Sequence, residues 1–144
     1  MSTIVLAFDH AGYIFRWPVI HFLENAWYIV LDVGPKKIDE NDDFPDYALL
    51  ACEKILNWEA EKWILVCGTG IGMSIAANRH KGIRAVLAYN PTVAKIARTH
   101  NDANVICFWA RTMELVTVLS SLEIFLNTGF LGDKYQRRNE KLDA

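Results

Sequence analysis

Apolar residues fall along this chain in two alternating rhythms. Short, nearly unbroken apolar runs recur over residues 3–8, 28–33, 63–66, 84–88 and 103–108. Such runs mark strands covered on both faces of a sheet. Between them the spacing relaxes to that of amphipathic helices, over residues 13–26, 43–57, 91–100 and 112–127. In the first helix Phe15, Val19, Phe22 and Leu23 share one face, and Pro18 sits early enough to trim or bend only the first turn. Residues 34–43 form a polar loop, and Asp43-Phe44-Pro45 reads as an N-cap opening the second helix. After the third run the chain stops at Cys67. Gly68, Gly70 and Gly72 then alternate before Ser74, Ala76 and Ala77 resume helical spacing. That is a strand, a tight turn and a helix start.

Five β-α units in alternation predict one α/β domain over residues 1–144, with a polar, basic C-terminal tail over 128–144. The architecture expected is a three-layer α-β-α sandwich on a five-stranded parallel sheet, Rossmann-like and doubly wound. In such folds ligands sit outside the carboxyl ends of the strands. The polar motifs gather there: Asp9-His10 follow the first strand, Cys67 ends the third and Arg111 follows the fifth.

Composition narrows the partners. Apolar residues make up 52% of the 144 residues and charged ones 22%, which suits a globular protein with a real core. A net charge of −2 argues against nucleic acid or an anionic membrane as a bulk partner, so an anionic ligand must be met by local clusters. Three cysteines, Cys52, Cys67 and Cys107, with no Cys-x-x-Cys, indicate neither a disulfide framework nor a zinc site, and no metal or cofactor is expected. The N-terminus lacks a basic leader with a long apolar run, and no stretch approaches the ~20 residues of a membrane span. The expected location is the cytoplasm.

The turn at Cys67 carries the chemistry. Its Gly-x-Gly-x-Gly spacing is not the dinucleotide fingerprint, no Gly-Lys-Ser/Thr follows, and no arginine closes a phosphatase-type cysteine loop. What remains is a set of helix-start N–H groups without intrahelical partners, aimed at one point beside a thiol. That combination suits an anionic intermediate. Plainer roles stand beside the functional ones. Asp9 and His10 can cap a turn, and Asn101 can be a left-handed C-cap. Arg111, Lys134, Arg137 and Arg138 can be solvated charges. His100, at a helix C-terminus, would have its protonated form favoured. His21 and His80 read as structural, Cys52 and Cys107 as inert, and the five tryptophans (17, 27, 58, 63 and 109) as core or interface.

Five motifs together resemble the ribose/galactose sugar-phosphate isomerase family, in its type B ribose 5-phosphate isomerase branch. They are Asp9-His10-Ala11-Gly12, Asp43-Phe44-Pro45-Asp46-Tyr47-Ala48, Cys67-Gly68-Thr69-Gly70-Ile71-Gly72-Met73-Ser74, Gly82-Ile83-Arg84-Ala85 and His100-Asn101-Asp102-Ala103-Asn104. They keep their order over residues 3 to about 138. The resemblance implies metal-free interconversion of ribose 5-phosphate and ribulose 5-phosphate through an enediolate. It makes Cys67 the general base, a role that needs the thiolate. It makes His100 the proton donor for ring opening with Thr69 nearby, and the backbone of Gly68, Gly70, Ile71 and Gly72 the anion hole. Asp9, His10 and Asn101 become hydroxyl contacts, and Arg111, Lys134 and Arg138 contacts to substrate or phosphate. The tail would reach a neighbouring subunit's site, so at least a homodimer is implied, with pairing into tetramers open. Three positions depart from the family pattern: Lys134 for an arginine in the tail, Trp109 for a small residue and Phe44 for a common tyrosine. Two further readings stand: a hexose-phosphate isomerase acting on allose or galactose 6-phosphate, and a sugar-phosphate binding module without turnover. A flavodoxin-like module lacks a supporting fingerprint.

Overall fold

The computed structural model describes residues 1–57, 59–60 and 62–143; Trp58, Glu61 and Ala144 lie outside the described residues. Five strands form one sheet: β1 (Thr3–Phe8), β2 (Ile29–Asp32), β3 (Lys62–Cys67), β4 (Ala85–Leu87) and β5 (Val105–Trp109). Their order is β2-β1-β3-β5-β4, and every pairing is parallel. Six α-helices accompany them: α1 (Arg16–Asn25), α2 (Phe44–Leu56), α3 (Ile71–Asn78), α4 (Pro91–Asn101), α5 (Leu115–Asn127) and α6 (Lys134–Asn139). The expected three-layer, doubly wound sandwich is therefore the one observed.

Because strand side chains alternate, each strand feeds two cores. Ile4, Leu6, Phe8, Ile64, Val66, Ile106 and Phe108 pack against Val19 and Leu23 of α1, Ala94 of α4 and Phe125 of α5. Val5, Ala7, Trp63, Leu65, Cys67, Val105 and Cys107 pack on the other face with Ala48 and Cys52 of α2 and Met73 and Ala77 of α3. Burial on both faces explains why the strands read as continuous apolar runs. It also fixes which way Cys67 points, toward the α2–α3 layer.

Several boundaries shift for local reasons. Pro18 has no N–H to give, and the chain ahead of it winds as a 3-10 turn (Tyr13–Phe15), with the Phe15 N–H donating to the Gly12 carbonyl at 3.1 Å. The first α-helix thus begins at Arg16. Asp43 occupies the N-cap position of α2 but makes no side-chain cap bond. At the end of α4 the left-handed residue is Asp102, with φ 46°, and Asn101 is the last helical residue. Part of the expected tail folds as α6, whose neighbour is α4.

The strand order places the site. From β1 the chain turns one way to β2, then crosses back to β3 on the other side. Loops leaving the carboxyl ends of β1 and β3 therefore diverge and leave a crevice between them.

Candidate active site

The crevice holds a cavity of about 160 Å³ lined by Asp9, His10, Ala11, Phe44, Cys67, Gly68, Thr69, Gly72 and Arg111. Cys67 is the last residue of β3 and is buried apart from its opening to this cavity. Its Sγ accepts a hydrogen bond from the Gly70 N–H at 3.0 Å. That bond exists because Gly70 adopts φ 71°, a left-handed conformation that turns the chain sharply into α3. The Thr69 hydroxyl oxygen accepts from the Ile71 N–H at 3.3 Å. The next two N–H groups, of Gly72 and Met73, have no hydrogen-bond partner among the described residues. Both lie at a helix N-terminus beside a thiol. Gly72 lines the cavity, the arrangement that receives a developing oxyanion, whereas Met73 is fully buried.

Close approach explains two of the glycines. A Cβ at Gly68 would lie 2.9 Å from Arg111 Nε, so the guanidinium rests directly over this turn. A Cβ at Gly72 would lie 2.6 Å from the Phe44 ring, which forms the opposite wall. Arg111 makes no ion pair among the described residues, leaving its charge to the cavity. Its backbone is fastened by the Arg111 N–H donating to the Gly68 carbonyl at 3.1 Å.

Asp9 and His10 follow β1. Asp9 accepts from the Gly12 N–H at 2.9 Å, so it does cap the turn as well as line the cavity. Burial raises its pKa above the usual carboxylate value, against the lowering effect of that backbone bond and of His10. His10 is held from behind by Asp42: the backbone N–H meets one carboxylate oxygen at 3.0 Å and ring Nδ1 the other at 2.6 Å. The hydrogen bond to Asp42 is the main cause raising the pKa of His10, opposed by partial burial and by Arg111.

Not every expected residue lies here. Gly70 and Ile71 shape the turn rather than line the cavity, and the Ile71 side chain is exposed. His100 and Asn101 end α4, whose chain re-enters the sheet at the start of β5, whereas Arg111 and the cavity lie past its end. Five strand residues separate the two ends, a distance of about 15 Å or more. His100 stacks on Tyr135, with ring centroids 4.2 Å apart and planes 9° from parallel. The Lys134 ammonium and Arg138 guanidinium lie over the same tyrosine ring. His100, Lys134 and Arg138 thus form a second, cationic cluster. Trp109 pairs in register with Cys67 but does not line the cavity. No group of described residues is set to hold a metal ion.

Asp42 was missing from the sequence reading. The signal available was its acidic loop, in which Asp43 drew attention as a cap. A tertiary contact across 32 positions leaves no local pattern.

The sequence profile of the Ribose/Galactose Isomerase family matches residues 4–142. The chain belongs to that family. It is 35% identical to the ribose-5-phosphate isomerase B of Escherichia coli over 144 residues, covering 100% of this chain and 96% of the relative. The ribose 5-phosphate isomerase of Thermotoga maritima superposes with a TM-score of 0.95 at 40% identity, covering 99% of this chain and 97% of that one. The Mycoplasma genitalium ribose-5-phosphate isomerase B, solved with bound ribulose 5-phosphate, gives 0.93 at 36% identity, covering 97% and 93%. Family membership thus covers both cores and the crevice between β1 and β3.

Proposed function

We propose that this protein is an aldose-ketose isomerase interconverting ribose 5-phosphate and ribulose 5-phosphate. The carrying observation is the Cys67 thiol at a helix N-terminus whose N–H groups at Gly72 and Met73 are unspent. In this reading the Cys67 thiolate removes the proton from the carbon beside the carbonyl. The electron pair moves to the carbonyl oxygen, giving an enediolate that the turn of Gly68 to Gly72 stabilises. Transfer of the hydroxyl proton from one oxygen to the other, together with return of the carbon proton to the neighbouring carbon, completes the exchange. Arg111 neutralises charge, and Asp9 and His10 hold hydroxyls. One oxyanion donor is worth roughly 3 kcal/mol in other enzymes, so the unspent Gly72 N–H, on a residue that lines the cavity, supplies a useful part of the barrier reduction.

The cavity of about 160 Å³ is below the roughly 300–1,000 Å³ of ordinary small-molecule sites, so it covers only part of a sugar phosphate. His100, Asn101, Lys134 and Arg138 lie at the far end of the sheet. A second copy of the chain, presenting its α4–α6 cluster, would supply the proton donor and the phosphate contacts. We therefore read the working form as at least a homodimer. A reducing cytoplasm suits its three unpaired thiols.

The test is an isomerase assay with ribose 5-phosphate, allose 6-phosphate and galactose 6-phosphate, with Cys67→Ser as control. Pentose turnover that falls ~10²–10⁴-fold in the folded variant supports the reading. Preference for a hexose phosphate would reassign the substrate, and no turnover of any of the three would leave a binding module.

A further inference from the structure

His10 and Asp42 meet across 32 positions of sequence, with two separate bonds between them. One bond fixes the His10 backbone at the end of β1, and the other fixes its ring. The Asp42 side chain is 5% exposed, and its charge reaches the neighbouring Tyr47, whose pKa is raised chiefly by burial and next by Asp42. A carboxylate holding both His10 donors cannot swing away without leaving the two of them unpaired. Ring Nε2, the nitrogen on the other side of the imidazole, has no partner among the described residues, and His10 lines the cavity.

We propose that Asp42 is a positioning residue that holds neutral His10 as the Nδ1–H tautomer, so that Nε2 presents a lone pair to a substrate hydroxyl. A carboxylate accepts only, so Nδ1 must carry the proton. An unconstrained neutral imidazole favours the opposite tautomer, with the proton on Nε2, which would offer a donor to the cavity. Asp42 therefore sets the polarity of the contact. The ring's other charged neighbours are Asp9 and Arg111, of opposite sign. Neither bonds to the ring, so neither selects a nitrogen. The inference rests on the isomerase reading only for the identity of the hydroxyl; the tautomer is a property of the free protein.

Two measurements test it on the full-length protein. ¹⁵N-detected NMR of the wild-type, read on the high-pH plateau of the His10 titration where its ring is neutral, should find the proton on Nδ1. A proton on Nε2 overturns the proposal, whether or not the protein turns over ribose 5-phosphate. In kinetics, Asp42→Asn should lower kcat/KM for ribose 5-phosphate by ~10- to 100-fold, as loss of an outer partner does elsewhere. Combining it with His10→Ala should then cost no more than His10→Ala alone, because Asp42 acts through His10. Additive losses would make Asp42 merely a loop fastener and overturn the proposal. If Asp42→Asn fails to fold, the wild-type tautomer still decides.

Discussion

At the scale of single residues, the site depends on side chains whose second contacts are spoken for. Cys67 is met by one backbone N–H, Asp9 by another, and His10 by both oxygens of one carboxylate. The His10–Asp42 bond has a consequence for stability as well as for orientation. His10 holds its proton more tightly in the folded chain than the ordinary value of 6.5 implies. The stabilisation is therefore fully present below about pH 6.5 and is lost as pH rises through the raised folded value. Asp42→Asn removes its main cause. Thermal melts should show the gap in Tm between wild-type and Asp42→Asn widest near pH 5.5 and narrower near pH 8.5. A gap that is constant with pH would mean that the pair does not titrate as a unit.

At the scale of elements, the turn between β3 and α3 concentrates the backbone requirements. Gly70 has a left-handed φ of 71°, and a Cβ there would lie 2.4 Å from a Leu87 methyl and 2.9 Å from the Phe108 carbonyl oxygen. The conformation alone costs a non-glycine residue roughly 1–2 kcal/mol, and the carbonyl cannot rotate aside as a side chain can. Gly70→Ala should lower stability in urea titration by about 2 kcal/mol or more. An unchanged midpoint would show that the turn tolerates the clash by shifting. This turn was legible in the sequence because alternating glycines after a buried strand have few other uses. The same holds for the strands, whose two-sided burial leaves unbroken apolar runs. What was not legible depended on geometry with no local code. Pro18 signalled a disturbed first turn but not that it would be a 3-10 turn. Asp43 had the type and place of a cap, yet its neighbour Asp42 makes the contacts that matter. Asp102 rather than Asn101 took the left-handed position, where it accepts from both Arg98 and Arg84. That choice was made by two arginines from different elements.

At the scale of the whole molecule, the parallel sheet separates two groups of polar residues. The thiol, the anion-binding turn and Arg111 lie beyond the carboxyl ends of the strands, while His100 and the cationic helix α6 lie at the other end. If both groups serve one reaction, each chain contributes to two sites. Mixing inactive Cys67→Ser with inactive His100→Asn after unfolding and refolding should then restore activity. Random pairing makes half the dimers mixed, each with one complete site, so about a quarter of wild-type activity is expected. No recovery would place every catalytic group within one chain. The sequence order alone could not reveal this separation. It depends on α4 running antiparallel to the strands, which carries its C-terminus away from the crevice.

The three thiols have a practical consequence. Cys52 and Cys107 are fully enclosed by the α2–α3 layer, and burial pushes Cys52 up to about 12 and Cys107 well above its ordinary value. Cys67 shares that layer but opens on the cavity. A small alkylating reagent added to the native protein should therefore attach once per chain, and mass spectrometry should find the adduct on Cys67. Ribose 5-phosphate should slow the attachment, and unfolding should admit the other two. One electrophile thus becomes a head-count of intact sites in any preparation.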